Sequence, residues 1–299
     1  MDEVGLSPAL LEDLLQETSR TFALAIPLLP EPVRRAVGVA YLLFRVADTL
    51  EDAEAWPRDR RIHALDTFAA LLRGEGDARA ISAGWLAEPP LTHAGYLRLL
   101  GETPALLDSL AALPSAEIVR AHTLRTTLGM REVIEQRGSE GDRMVRLRDL
   151  ADLRQYCYYV AGIVGELLTD VFVFHAPSLH AELPTLREEE RLFGEGLQLV
   201  NILKDEADDA SEDRVFIPKG VERTQLLALA RADLEAAQRY TDAIARGGAP
   251  AGVRAFVGLP LALARESLDA IEARGAGAKM PRARVLELFT EHQALAASE

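Results

Sequence analysis

The chain reads as all-α, and three observations lead there. Apolar residues recur at helical spacing along most of its length, the helical stretches open and close on caps and prolines, and no run of alternating β-branched residues makes a convincing strand. Ser7-Pro8 supplies an N-cap and a proline at the first helical position, opening a helix through Leu11, Leu14, Leu15, Thr18 and Phe22. Pro30-Glu31-Pro32 punctuates, and a second helix runs from Val33 to about Glu54 with Val37, Tyr41 and Phe44 on its apolar side. Helices near 58–73, 92–111 and 115–137 follow, separated by turns that hold Gly and Pro. The next opens near Asp149 and carries Tyr156-Cys157-Tyr158-Tyr159-Val160-Ala161-Gly162-Ile163-Val164-Gly165. Thr185 with Glu188 has the form of a capping box for a helix that extends to about Ser211. At the usual rise per residue that helix is about 40 Å long. Stretches near 222–246, 250–274 and 281–297 complete a single all-α domain over residues 1–299.

Composition narrows the function. A formal charge of −14 over 299 residues argues against a nucleic-acid partner, whose grip depends on Lys and Arg neutralising phosphates. Cys157 is the only cysteine, so an intrachain disulfide is impossible and a cytoplasmic setting is expected. The acidic start lacks the basic-then-apolar order of a signal peptide, and no uninterrupted apolar run reaches the roughly 18 residues that suggest a membrane span. Lys204, Lys219 and Lys279 are the only lysines, which draws notice to Lys204 beside an acidic cluster.

Two acidic clusters carry the chemistry. In Asp48-Thr49-Leu50-Glu51-Asp52 the aspartates stand four residues apart, and Tyr41, Arg45, Asp48 and Asp52 step by four, three and four along one side of a helix, with Glu51 flanking. In the second cluster Gln198, Asn201, Asp205 and Asp209 step by three, four and four, with Lys204 and Asp208 beside that line. Either cluster alone would ordinarily be a solvated helix face. Two of them, each with a basic neighbour, suit a hard cation held by oxygen and bridged to phosphate, which describes Mg²⁺. Zinc is disfavoured, because one cysteine and six scattered histidines make no ligand spacing.

Ser19-Arg20-Thr21-Phe22, Tyr41…Arg45…Asp48-Thr-Leu-Glu-Asp52, Tyr156-Cys-Tyr-Tyr-Val-Ala-Gly162 and Asn201-Ile-Leu-Lys-Asp205…Asp209…Arg214-Val-Phe-Ile-Pro218 together resemble the squalene/phytoene synthase family, in the family's order, over roughly residues 15–285. The resemblance implies the class I isoprenoid synthase fold, a helical bundle with a central active-site cavity and aspartate motifs facing each other across its mouth. It implies head-to-head joining of two prenyl diphosphates, with Mg²⁺ held by Asp48, Asp52, Asp205 and Asp209, Asn201 as an extra ligand and Glu51 at the flank. Arg20, Arg45, Lys204 and Arg214 would add positive charge for the diphosphate, with Ser19, Tyr41 and Gln198 beside it. Tyr156 would help proton removal, acting with the released diphosphate or a basic neighbour such as Arg154. A dry pocket is needed to protect an allylic cation, and Phe22, Leu43, Val160, Ile163 and Phe256 are its expected lining. Gly162 and Gly165 inside a helix leave two explanations equally open: room for a prenyl tail, or close helix–helix contact.

Within the family, the first aspartate motif and Ala255-Phe256-Val257-Gly258-Leu259-Pro260 are more similar to squalene synthases, whereas Tyr158 matches plant-type phytoene synthases better. Lys204 stands where squalene synthases usually carry arginine, and Asp213-Arg214 replaces the commoner Gly-Arg. The resemblance therefore implies condensation of two farnesyl diphosphates through presqualene diphosphate and NADPH reduction to squalene. A phytoene, dehydrosqualene or presqualene diphosphate synthase is the alternative inside the family. A class I terpene cyclase, or a silent prenyl-binding protein, is the alternative outside it. The C-terminal anchor of eukaryotic squalene synthases is not seen, so the expectation is a soluble, bacterial-type enzyme, with peripheral contact at the inner membrane face for release of an apolar product.

Overall fold

The computed structural model describes residues 5–19, 21–137, 146–211 and 215–298. Among them the regular structure is helical: α1 (Pro8–Thr18), α2 (Phe22–Ala25), α3 (Val33–Glu51), α4 (Arg58–Leu72), α5 (Ala78–Ala87), α6 (Ala94–Gly101), α7 (Thr103–Ala111), α8 (Ala116–Arg137), α9 (Leu150–Cys157), α10 (Ile163–His175), α11 (Leu183–Ser211), α12 (Arg223–Arg246), α13 (Ala251–Arg274) and α14 (Arg282–Ala296). Short 3₁₀ turns occupy Ile26–Leu28 and Pro177–Glu182, and a π-helical turn, Tyr158–Gly162, joins α9 to α10. The only extended pairing among the described residues is an isolated bridge between Arg146 and Val215.

The local signals mostly hold. Ser7 caps α1 by accepting from the Leu10 amide, with Pro8 inside the first turn. That helix stops at Thr18 rather than reaching Phe22, because Ser19 turns extended and its hydroxyl caps α2 through the Phe22 and Ala23 amides at 3.1 and 3.2 Å. The expected 92–111 helix is two, broken at Glu102, where Pro104 opens α7. Helix α5 was not foreseen; Asp77 caps it through the Arg79 and Ala80 amides. Nor does the capping box at Thr185 start α11. The 3₁₀ turn feeds directly into Leu183, and Pro184 sits in the first turn, where its missing N–H costs nothing.

The chain divides into two compact units. One holds α1 and α3–α8, with α4 packed along α8 and α1 against α6. Leu42, Leu43, Val46, Ala47 and Leu50 of α3 are fully buried in it. Gly38 lets α3 lie close to α1, since a Cβ there would stand 3.1 Å from Leu11 Cδ2. The other unit contains the 3₁₀ turn Ile26–Leu28 and α9–α14. Its axis is α11, against which α10, α12, α13 and the π turn all pack.

The run Leu150–His175 is long and apolar enough to cross a membrane by length and composition, although Asp152, Arg154, Glu166 and Asp170 interrupt it, so no uninterrupted apolar run is involved. Half of it is buried in the protein, and its glycine seam packs on α11 as a core helix does. That seam decides between the two explanations for Gly165. A Cβ on Gly165 would stand 1.8 Å from the Glu190 carbonyl oxygen, and one on Gly194 would stand 1.9 Å from that of Ala161. Both distances are impossible for real atoms, so backbone contact between the helices excludes any side chain there.

Candidate active site

The face of α3 that carries the first acidic cluster is built around Arg45. Its Nη2 donates to the Tyr41 hydroxyl at 2.8 Å, and its Nη1 stands 3.2 Å from Asp48 Oδ2. The guanidinium also lies 5.5 Å from the Tyr41 ring and 5.9 Å from the Tyr96 ring of α6, a position that favours a cation. Tyr41 in turn donates to the Thr18 carbonyl at 3.3 Å and packs on Phe22, with ring centroids 5.4 Å apart. Ser19 serves as the cap of α2, so its hydroxyl is occupied by backbone amides. Arg20 lies outside the described residues.

The carboxylates on this face repel one another. Asp52 lies just past α3, yet its amide still donates to the Asp48 carbonyl at 2.8 Å, so the two aspartates are one helical turn apart. Burial raises the Asp48 carboxyl to about 6; Arg45 opposes the rise and the charge of Asp52 adds to it. Glu51 is buried, and its carboxyl is pushed well above the ordinary value by burial and by both aspartates, with Arg61 opposing. Arg61, itself buried, donates to the Glu51 carbonyl at 3.0 Å and fastens the end of α3 to α4.

On α11, Lys204 Nζ donates to Asn201 Oδ1 at 3.1 Å and stands 3.4 Å from Asp205 Oδ2. Asn201 is exposed, whereas Gln198, Lys204 and Asp205 are half-buried. Glu206, next in line, is engaged by Arg223 of α12. The Asp208 and Asp209 side chains and Arg214 lie outside the described residues. Among the described residues, no three His, Cys, Asp or Glu side chains converge as a ready-made metal site. What α3 and α11 each offer is hard oxygen donors beside one basic group. An added cation would oppose the burial that raises the Asp48 carboxyl, and oxygen donors of this kind are the type that Mg²⁺ takes.

Linkage makes that testable. A folded-state value of about 6 against an ordinary 3.8 means the native protein holds this proton more tightly than the unfolded chain does. Stability contributed by Asp48 is therefore present at low pH and lost as pH rises from about 4 through about 6. Two units correspond to about 3 kcal/mol at most, and solvent screening of this partly exposed group reduces it to about 1–2 kcal/mol. In metal-free buffer, melting curves should fall more steeply between pH 5 and 7 for the native chain than for D48N. Added Mg²⁺ should restore stability at pH 7 and do little at pH 5. Equal pH slopes for the two chains would remove Asp48 as the source of the effect.

Tyr156, Val160 and Phe256 lie in the second unit. Tyr156 of α9 is buried and stacked on Phe216, with centroids 5.2 Å apart. Val160 sits half-buried in the π turn. Phe256, 1% exposed, packs edge-on against Phe172, 6.1 Å away, in the core of this unit. Leu43 and Ile163 are likewise core residues. Arg154 is not a spare basic group for Tyr156: it is engaged by Glu195 of α11 and Asp233 of α12. Sequence reading missed those two acids, since each lies on a helix remote in the chain and nothing local marks it.

The all-α fold is that of the class I isoprenoid synthases. A solved structure of TcSQS with a ligand superposes with a TM-score of 0.72 at 22% identity, covering 95% of this chain and 85% of that one. The model of the squalene/phytoene synthase family matches residues 15–224, and the chain belongs to that family. Among its relatives, Botryococcus squalene synthase of Botryococcus braunii is 29% identical over 216 residues, 70% of this chain and 42% of the relative. Squalene synthase of Yarrowia lipolytica is 32% identical over 216 residues, 70% of this chain and 45% of the relative. The match thus spans less than half the length of these relatives.

Proposed function

We propose that the protein is a Mg²⁺-dependent prenyltransferase that condenses two farnesyl diphosphates head to head through presqualene diphosphate, with NADPH reduction to squalene. The observation that carries the reading is the α3 face, where Asp48 is kept ionisable at a cost beside Asp52 and a fixed Arg45. The family match and the squalene synthase names of the relatives support it.

In this reading Asp48 and Asp52, with Glu51 behind them, and Asn201, Asp205 and Asp209 hold the metal. Bound there, Mg²⁺ supplies positive charge that stabilises a departing diphosphate. Arg45 and Lys204 are already oriented by neighbours, so little side-chain freedom is lost when they engage phosphate oxygens. Arg20 and Arg214 extend that grip, with Ser19, Tyr41 and Gln198 at its edge. Tyr156 is buried and stacked on Phe216 and takes part in proton removal during coupling, with the released diphosphate as the base, because a neutral phenol is a poor base. Phe22, Val160 and Phe256 exclude water from the cation. NADPH enters only through the product, since squalene requires a hydride.

The test is product analysis after incubation with farnesyl diphosphate and Mg²⁺, with and without NADPH. Squalene formed only with NADPH supports the proposal. A conjugated triene made without NADPH selects dehydrosqualene- or phytoene-type synthesis, and accumulation of presqualene diphosphate selects a split pathway. A cyclised product from one substrate molecule means a terpene cyclase. Farnesyl diphosphate left unconsumed under both conditions sinks the farnesyl reading.

A further inference from the structure

A charged cluster with two buried carboxylates lies against the π turn, apart from the residues assigned to metal and diphosphate. Arg154 of α9 places Nη2 2.9 Å from Glu195 Oε2 on α11 and pairs through Nη1 with Asp233 on α12. Arg191 of α11 pairs with the other oxygen of Glu195 and lays its guanidinium 4.5 Å from the ring of Tyr158, first residue of the π turn. One connected path of charge therefore runs from α12 through α9 and α11 to the π turn. Glu195 is 0% exposed and Asp233 is buried, so both carboxylates have left water. Burial raises the pKa of each, and the arginines oppose that rise.

Stability is a poor reason for such a cluster. Each desolvated ion costs several kcal/mol, and well-packed apolar side chains would join three helices at least as firmly. The Glu195 Oε2 contact with Arg154 is close but not aligned as a hydrogen bond, so the pair is not tuned for binding strength. Its placement is specific, however. A Cβ on Gly162 would meet Glu195 Oε1 at 3.2 Å and Arg191 Cγ at 3.3 Å, and one on Gly196 would meet Asp233 Cβ at 3.0 Å. The cluster is pressed directly onto the turn just after Tyr156. Arg154 and Tyr156 are two residues apart, so they leave α9 on nearly opposite sides. Anchoring Arg154 from behind fixes the rotation of α9, and with it the direction of the tyrosine.

We propose that Arg154, Glu195 and Asp233 are positioning residues that hold Tyr156 in place for the coupling step. The proposal rests on the prenyltransferase reading and deepens it. Loosening the cluster should leave departure of the first diphosphate intact and spoil the joining of the two chains, because the cation then outlives its chance of coupling and is captured by water.

The experiment compares R154Q, E195Q, R154K, Y156F and the R154Q/Y156F double variant, with two kinds of readout. With farnesyl diphosphate and Mg²⁺, diphosphate release and coupled product are measured separately. Without substrate, the labelling rate of Cys157 by a thiol reagent reports opening of this segment, since Cys157 is the chain's only cysteine and is fully buried beside Tyr156. R154Q and E195Q should release diphosphate within about threefold of the native rate while coupled product falls at least about tenfold and prenyl alcohol replaces it. Y156F should show the same split, the double variant should be no worse than Y156F, and R154K should recover part of the loss. Cys157 labelling should quicken about tenfold in R154Q and E195Q but not in Y156F, at unchanged helicity. Parallel loss of release and coupling, multiplied effects in the double variant, or unchanged labelling would each overturn the proposal. Faster labelling with normal coupling refutes positioning alone, whereas no diphosphate release by the native chain refutes the prenyltransferase reading itself.

Discussion

Replacing Asp48 by Asn should lower turnover of a prenyl diphosphate about a thousandfold and leave the helices as stable as before, or slightly more so. The substitution keeps the shape of the side chain and removes its charge. A thousandfold loss corresponds to about 4 kcal/mol in the barrier, the scale expected when charge stabilisation of a leaving group is withdrawn. Stability should move the other way. The Arg45–Asp48 pair at 3.2 Å is partly exposed and contributes at most about 1 kcal/mol, whereas the raised carboxyl value means that the ionised aspartate costs more than the pair returns. Diphosphate release and thermal melting, measured on the same preparation, separate the two effects. D205N should behave alike in turnover. Rates within about threefold of the native chain in both variants would remove the metal assignment.

A second large effect is expected at Gly165, this time on stability. Helix propensity alone predicts that Gly→Ala gains up to about 1 kcal/mol. The packing predicts the reverse, because the added carbon would sit 1.8 Å from the Glu190 carbonyl and neither partner is a side chain that could swing away. Helices α10 and α11 would have to part by more than an ångström, at a cost of about 3 kcal/mol or more. For a chain of this size that lowers the melting temperature by about 5 °C. G194A should match it, since its new carbon meets the Ala161 carbonyl oxygen at 1.9 Å. Gly84 in α5 is the control: nothing lies within 4 Å of a Cβ there, so G84A should be neutral or stabilising. If G165A melts like G84A, the seam is not the contact described.

Spacing alone made much of this legible. Tyr41, Arg45 and Asp48 come together on α3 because helical geometry leaves residues three and four apart no other place, and Lys204 meets Asn201 and Asp205 for the same reason. What failed were signals that compete locally. Thr185 and Glu188 have the chemistry of a capping box, but the preceding 3₁₀ turn runs straight into α11 at Leu183, so both lie inside the helix. Asp77 caps α5, but Gly74 and Gly76 just before it give the segment the composition of a loop. Gly165 of α10 had two explanations in one dimension and has only one in three. The partners of Arg154 were beyond reach, since pairing between helices far apart in sequence leaves no periodic trace.

The π turn between Tyr158 and Gly162 has a consequence for how this chain can vary. A π turn needs about one residue more than an α turn to complete the same rotation, so the extra residue is absorbed as a local widening and the helix on either side keeps its phase. Deleting one residue here would yield a more regular helix with better hydrogen bonds and leave Tyr156 facing nearly as before relative to the glycine face of α10. Forcing the same residues into α geometry without a deletion would instead swing it by about a quarter-turn. At most places in a helix, one residue more or fewer rotates everything after it by about 100°. In this one turn the count can change by one, and what a shortened chain loses is the widened turn itself.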